Sequence, residues 1–192
     1  MAGLGSMVWR LLLIGMDTVF RLCSLGLAAG LSLSALSVGA GPAEAIERGE
    51  LLEQMKRMRP ADLIVLETKP MAGGDYTLAI FAIKGDDSDP DLRRYKLWKE
   101  YPNDLVVPTE SVNCSTTEPL RVTRDQEAIY IRRLNPGGVV NDSNREDHLV
   151  WWAACVPAEA GKDPATLADQ ARQLGYSGLL TETTETLRVP GP

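Results

Sequence analysis

The sequence predicts a single α+β domain, a mostly antiparallel sheet with two short amphipathic helices on one face, that follows a cleaved N-terminal signal. Apolar residues recur at helical spacing near both ends of the mature chain, and strand-like segments occupy its middle. Helical and strand segments do not alternate regularly, which favours an antiparallel sheet with segregated helices. The chain has 192 residues, so one domain remains once the signal is set apart.

The first 45 residues have the pattern of a secretory signal. Residues 22–43 carry no charged side chain, follow Arg21 and lead into the small-x-small triplet Ala43-Glu44-Ala45. This order predicts cleavage after the triplet by the general secretory route. Met16 is an alternative start that brings the signal to about 30 residues, within the usual range. An uncleaved membrane anchor is the competing interpretation, since the uncharged stretch is long enough to span a bilayer.

The cysteines point to an oxidising compartment. Cys23 leaves with the signal, so the mature chain keeps Cys114 and Cys155. An even pair in an exported domain predicts a disulfide, and two unpaired buried thiols are the alternative. These cysteines and His148 lack the spacing of a zinc site, so we expect no metal centre, and the chain has no nucleotide-binding motif that would imply a cofactor.

Two amphipathic helices are predicted, one early and one late in the mature chain. The first covers 46–59, where Leu51, Met55 and Met58 share one face, and it ends at Pro60. The second begins at the capping pair Asp163-Pro164 and ends at Gly175.

Six segments between and around these helices have the composition of strands. They are residues 63–66, 76–83, 111–115, 120–123, 128–134 and 149–156. The folded domain is expected to cover 46–180. Residues 181–192 are polar and end in proline, so we expect a flexible tail there.

An acidic segment, 85–91, holds four carboxylates in six positions. Asp89 followed by Pro90 is typical of a helix start, with Asp89 as the cap. A calcium loop is the alternative, but the segment fails the EF-hand pattern because Leu92 stands where glycine is required and Trp98 where glutamate is required.

Basic and aromatic residues are interleaved directly after this segment. We predict a binding surface there, to which one of two adjacent tryptophans contributes because neighbours in a strand point to opposite faces. Its residues are Arg93, Arg94, Trp98, Tyr101 and Trp152. The net charge of −6 argues against nucleic acid, so the expected partner is a protein or another acidic surface. The edge of an amphipathic helix is the simpler interpretation.

The only histidine provides the one candidate for acid–base catalysis. His148 follows Glu146 and Asp147, and a neighbouring carboxylate suits a general base. No nucleophile motif accompanies it, and a solvated loop before a buried strand explains the same residues.

The sequence therefore predicts an exported, non-catalytic binding or accessory protein of the periplasm, the thylakoid lumen or the extracellular space. The alternative is an exported acid–base hydrolase that uses His148 with Asp147 or Glu146.

Overall fold

An antiparallel sheet of eight strands dominates the structure, a computed structural model that describes residues 47–189. The described residues lie in one compact unit of the chain. The predicted signal and the Met16 start lie outside the described residues. The architecture is α+β and mostly sheet, in agreement with the predicted fold class.

Most elements are joined by short connections, and the two longest are residues 134–144 before α2 and 174–182 before β8. Within residues 47–189, the α-helices are Arg48–Arg57 (α1), Arg145–Cys155 (α2) and Ala168–Gln173 (α3), and single turns of 3₁₀ helix occupy Pro157–Glu159 and Pro164–Thr166. The strands are β1 (Ile64–Met71), β2 (Gly74–Gly85), β3 (Leu92–Tyr101), β4 (Asp104–Val106), β5 (Thr109–Asn113), β6 (Leu120–Arg124), β7 (Ala128–Arg133) and β8 (Thr183–Arg188).

The strand order is β1-β2-β3-β5-β6-β7-β8, and β4 also pairs with β3. Strand β3 is long enough to pair with β5 through Leu92–Lys96 and with β4 through Lys99–Tyr101. Only Val107 and Pro108 separate β4 from β5 along the chain, and proline suits such an interruption because it lacks a backbone donor. The first seven strands therefore form a meander, which β8 extends from a distant part of the chain.

The hydrophobic core lies between α2 and one face of the first strands, which we call the helix face. Leu78, Ile80 and Leu97 from the sheet pack in one cluster with Trp151 and Trp152 from α2. Backbone contacts of α2 fall on β1, β2, β3 and β5, and Ala171 of α3 completes the cluster. In contrast, α1 contacts β4 and donates from Lys56 Nζ to Pro102 O, 3.3 Å away.

One predicted strand is wrong. Residues 149–155 belong to α2, in which six consecutive residues from Leu149 to Ala154 are buried. A short apolar run fits a buried strand and a buried helix equally well, so periodicity cannot separate them. The helical signals lie just upstream, where Glu146 and Asp147 place negative charge in the first turn.

The predicted helix start at Asp89-Pro90 is also wrong. Asp89 Oδ1 accepts from Asp91 N in a turn, and the chain then enters β3. Buried Tyr95 alternates there with exposed Lys96, the period of two that a half-covered strand requires. The basic residues are thus spread over two faces.

The structure also differs from the predicted tail and the predicted helix arrangement. Residues 183–188 form β8, paired with β7 over its whole length, because backbone hydrogen bonds order a segment with little apolar surface. The helix predicted from Asp163 is split into a 3₁₀ turn and α3.

The predicted disulfide is confirmed. Cys114, just after β5, is bonded to Cys155, the last residue of α2, with 5.5 Å between the Cα atoms. The bond fastens the C-terminal end of α2 to the sheet. Among residues 47–189 there is no helix with the length and apolar character that crossing a membrane requires.

Candidate functional site

A buried arginine organises the polar side of the helix face. Arg121 of β6 has 2% of its side chain exposed, and it donates to Glu110 Oε2 through Nε at 3.0 Å and Nη2 at 2.8 Å. Nη2 also contacts Glu146 Oε1 at 3.0 Å, and Nη1 contacts Asp147 Oδ1 at 2.6 Å. The Arg121 guanidinium group therefore binds one carboxylate from a neighbouring strand and two from the first turn of α2.

The sheet register explains why α2 supplies two carboxylates. Arg121 stands directly opposite Arg132 of β7, and like charges in such a pair repel. Asp147 lies between them, with Oδ1 on Arg121 and Oδ2 at 3.7 Å from Arg132 Nε. Lys99 Nζ completes the cluster at 2.7 Å from Glu146 Oε1. Burial raises the pKa of Glu146, but Arg121 and Lys99 outweigh burial and hold that pKa below its ordinary value.

This cluster lines a cleft of about 550 Å³ between the first turn of α2 and the sheet. Five carboxylates and four cations line it, and Val106 and Pro108 supply an apolar wall. Only 5% of the Glu110 side chain is exposed, and its Oε2 takes all three of its hydrogen bonds, the third from Tyr95. Its Oε1 accepts none from the described residues. No cluster of potential metal ligands is found within residues 47–189.

The histidine belongs to a different network. His148 is fully buried, and its Nε2 lies 2.7 Å from Glu182 Oε1, just before β8. Glu182 also accepts from Asn144 Nδ2 at 2.8 Å and from the backbone N–H of Asn135 at 3.1 Å. Burial raises the pKa of Glu182, but the hydrogen bonds from His148 and Asn144 outweigh it and lower that pKa overall. The network ties the start of α2 to the C-terminal segment.

The hypothesised acid–base group is not assembled as the sequence predicts it. Glu146 and Asp147 both turn toward Arg121, whereas His148 turns toward Glu182 and away from the cleft. His148 Nδ1 is buried without a hydrogen-bond partner among the described residues. A side chain enclosed on all sides suits a structural histidine rather than a group that meets substrate.

The five predicted binding residues do not form one surface. Arg93 and Arg94 point to opposite faces of β3 because they are consecutive in a strand. Tyr101 is half-buried, with its ring centroid 4.9 Å from that of Tyr76. Trp98 is buried beside Phe81, and Trp152 is 1% exposed in the core. Of the five, Arg94 alone is broadly exposed, at 67% of its side chain.

Both adjacent tryptophans are buried, although a strand would have left one half-exposed. In α2 both rings reach the core, where they meet edge to face with centroids 5.4 Å apart. Trp151 Nε1 donates to Asn113 O at 3.0 Å. Trp152 therefore has a packing role in this structure.

The polarity of the sheet reverses at β6. On the opposite side of the sheet from α2, which we call the open face, β6, β7 and β8 present Val122, Ile129, Ile131 and Leu187. The first three are partly exposed, and Leu187 is 45% exposed. In a sheet covered by a helix on one side, the apolar residues of these strands should face that helix. Here they face away from it.

Cationic side chains from β3 and β6 form a basic rim along one edge of this apolar strip. Arg94 and Arg124 line a shallow depression of about 220 Å³ together with Val122 and Ile129. Exposed Lys96 lies two residues after Arg94 in β3, on the same face of the strand. Arg94 is paired with Asp86 at 3.2 Å, while Lys96 and Arg124 form no ion pair within residues 47–189. The open face is therefore an apolar strip with a basic rim along one edge, and it also carries the exposed Glu185 opposite Ile131.

Sequence reasoning missed the residues that organise both networks. Arg121 stands between Leu120 and Val122 in a predicted strand, where a solvent-facing arginine has the same pattern. Glu182 was placed in the tail. The sequence contained one usable signal. Arg121 and Arg132 lie on two adjacent predicted strands, and two arginines brought close together need carboxylates nearby.

Comparisons with protein-family models, with curated proteins and with solved structures returned no match.

Proposed function

We propose that this protein is an exported, non-catalytic binding protein that docks an acidic partner protein on the open face of its sheet. The observation that carries the proposal is the reversal of polarity at β6, which leaves Val122, Ile129, Ile131 and Leu187 outside the core. Apolar side chains grouped on an uncovered surface are typical of interaction sites.

The charge of the rim selects the kind of partner. Lys96 and Arg124 are exposed cations with no ion-pair partner among the described residues, on a chain whose net charge is −6. A partner with carboxylates around an apolar centre would complement both the rim and the strip.

Export is part of the proposal. A disulfide persists in the periplasm, the thylakoid lumen and the extracellular space, and the bond between Cys114 and Cys155 supports such a location. The signal pattern of residues 1–45 points the same way.

The experiment is site-specific photo-crosslinking in the host from position 109, which lines the depression between Arg94 and Arg124. The double variant Arg94→Glu with Arg124→Glu is expected to lose the crosslinked product. The matched control, Lys162→Glu with Arg172→Glu, makes the same charge change at two other exposed cations and should keep it. Both variants are first compared by thermal unfolding.

Salt supplies a second readout. When the crosslinking is repeated in a native extract, the product should decrease as ionic strength is raised from about 0.1 M to about 0.5 M, because the rim charges are exposed and therefore screened by salt. A product that survives the double variant, or that the control variant removes equally, would show that the open face is not the docking surface. Absence of any product from position 109 would argue against it as well.

A further inference from the structure

Strand β8 is the last strand of the sheet, and no strand within residues 47–189 pairs with its outer edge. Val189 N donates to Glu127 O at 2.8 Å, so these two residues form a hydrogen-bonded pair just beyond the end of the β7–β8 ladder. Hydrogen-bonded and non-bonded pairs alternate along an antiparallel ladder. The odd-numbered residues of β8 therefore direct their amide and carbonyl groups toward β7. The residues that direct these groups outward are Thr184, Thr186 and Arg188.

The opposite edge of the sheet, strand β1, is protected against pairing. A bulge interrupts its register between Val65 and Glu67, and Lys69 and Pro70 follow. Bulges, lysine and proline are devices by which natural sheets prevent the addition of another strand. Strand β8 contains none of the three, and all six of its residues are exposed. The two edges of one sheet are thus treated differently, and only the β8 edge is suited to pairing.

The outward groups of β8 are complementary to those of a second copy of the same strand. A twofold axis perpendicular to the sheet brings two such edges together in antiparallel directions. With the axis at Thr186, this residue faces Thr186 of the second copy, and Thr184 faces Arg188 of the second copy. Every outward amide and carbonyl group of β8 then has a partner.

Other positions of the axis are less favourable. An axis at Glu185 places two carboxylates directly opposite each other, and like charges in such a pair repel. An axis at Leu187 leaves Thr184 beyond the end of the partner strand, so its amide and carbonyl groups stay unpaired. The charge and length of β8 therefore select the register that is centred on Thr186.

We infer that the protein forms a weak symmetric dimer in which two β8 strands pair antiparallel around Thr186 and join two sheets into one. The assembly closes at two copies because the β1 edge is blunted. In this register Leu187 lies diagonal to Leu187 of the second copy on the open face, within reach of it, so the two apolar strips meet. The dimer uses backbone groups of the sheet edge and does not depend on the proposed docking of a partner protein.

Sedimentation velocity of the purified wild type tests for the dimer. A pair of edge strands buries little apolar surface, so we expect a dissociation constant of roughly 10–100 µM. The monomer should convert to dimer as the protein concentration rises from about 5 µM to about 500 µM. A wild type that stays monomeric over this range would overturn the inference, even if β8 pairs with an extended peptide of another protein instead.

Cysteine substitution tests the position of the axis. The Cα atoms of a hydrogen-bonded antiparallel pair are about 5.5 Å apart, a distance that a disulfide can span. We therefore expect Thr186→Cys to form a covalent dimer under mild oxidation. The matched control is Thr184→Cys on the same edge, where the two copies of the substituted position lie more than about 13 Å apart and should not be linked. Absence of the product from Thr186→Cys, or an equal yield from Thr184→Cys, contradicts the proposed pairing.

A charge swap on the axis provides an independent readout. Thr186→Lys and Thr186→Glu each place like charges opposite each other, so each variant alone should dimerise about fivefold more weakly than the wild type. An equimolar mixture of the two should dimerise at least as tightly as the wild type, because opposite charges then face each other. The controls Thr68→Lys and Thr68→Glu make the same changes at an exposed threonine of β1 and should have no effect.

Thermal unfolding first establishes that each variant is folded. If the mixture associates no more tightly than the separate Thr186 variants, or if the Thr68 variants weaken the dimer equally, the β8 strands do not pair around Thr186 and the inference is wrong.

Discussion

His148 Nε2 and Glu182 Oε1 lie 2.7 Å apart, although 34 residues separate them in the chain. The contact joins the first turns of α2 to the segment that leads into β8. Since Glu182 also accepts from Asn144 and Asn135, one carboxylate holds three parts of the molecule together.

Replacing this carboxylate should lower stability more than its exposure suggests. Glu182→Ala leaves several donors without an acceptor, so we expect the free energy of unfolding to fall by about 2–3 kcal/mol. Urea unfolding followed by circular dichroism measures it. The control is Glu185→Ala, an exposed carboxylate in β8, which should change stability by no more than about 0.5 kcal/mol. Equal effects of the two variants would contradict the role of the network.

Stability should fall in acid. The pKa values of Glu146 and Glu182 are lowered below the ordinary value of 4.5 in the folded protein. Near and below that value the unfolded chain therefore binds more protons than the folded one, so the free energy of unfolding decreases as pH falls from about 5 toward 3. Urea unfolding at several pH values should show a flatter dependence in the double variant Glu146→Gln with Glu182→Gln. If the free energy of unfolding had the same pH dependence in the double variant as in the wild type, Glu146 and Glu182 would not be the carboxylates responsible.

The buried arginine should be the most sensitive charge in the domain. Arg121→Met leaves Glu110 buried without its cation, and we expect a loss of about 3–5 kcal/mol in unfolding free energy. Adding Glu110→Leu removes the stranded carboxylate and should restore a large part of that loss. The control Arg172→Ala breaks an exposed pair with Asp169 and should cost less than about 1 kcal/mol. If the double variant recovered none of the lost unfolding free energy, the unpaired Glu110 carboxylate would not be the cause of the loss.

Removing the disulfide should weaken the fold without changing its topology. Cys114 and Cys155 are 41 residues apart, for which the chain-entropy model gives about 4 kcal/mol. The variant Cys114→Ala with Cys155→Ala, compared with the wild type by urea unfolding with and without reductant, measures the difference. Reductant should affect the wild type and leave the variant unchanged; an unaffected wild type would show that the bond is not formed in solution.

A chain that ends at Thr181 should be far less stable than Glu182→Ala. Truncation removes the same carboxylate and also β8, which pairs with β7 from Ala128 to Arg133. Ile129 and Ile131 then lie on an unprotected edge strand, so aggregation is expected as well. Analytical ultracentrifugation and circular dichroism would detect both effects. If the truncated chain were as stable as Glu182→Ala, β8 would contribute nothing.

The sequence was most informative where local chemistry decides the structure. Strands β1, β2, β5, β6 and β7 were predicted because alternation and turn residues act over a few positions. The disulfide was predicted because an exported chain with two remaining cysteines has one way to pair them. The first helix was predicted from its apolar spacing and the proline that follows it.

The sequence was least informative where the local structure depends on residues that are far apart in the chain. Whether the run from Leu149 to Ala154 is helix or strand depends on what covers it, and that information lies in β1, β2 and β3. Burial of Arg121 depends on two carboxylates of α2 that follow it by about 25 residues. Glu182 and β8 looked disordered because their stabilising contacts come from the backbone of β7 and from α2.

Glu182 follows strands β1 to β7 and α2 in the chain, and this order of elements sets an order on folding. A chain that emerges from a ribosome or a translocation channel presents its N-terminal part first. Strands β1 to β7 and α2 can therefore form before Glu182 and β8 emerge, and His148 has no acceptor until they do. Residues 182–188 thus complete the fold: until they emerge, β7 lacks its partner strand and remains an open edge, and His148 lacks its acceptor.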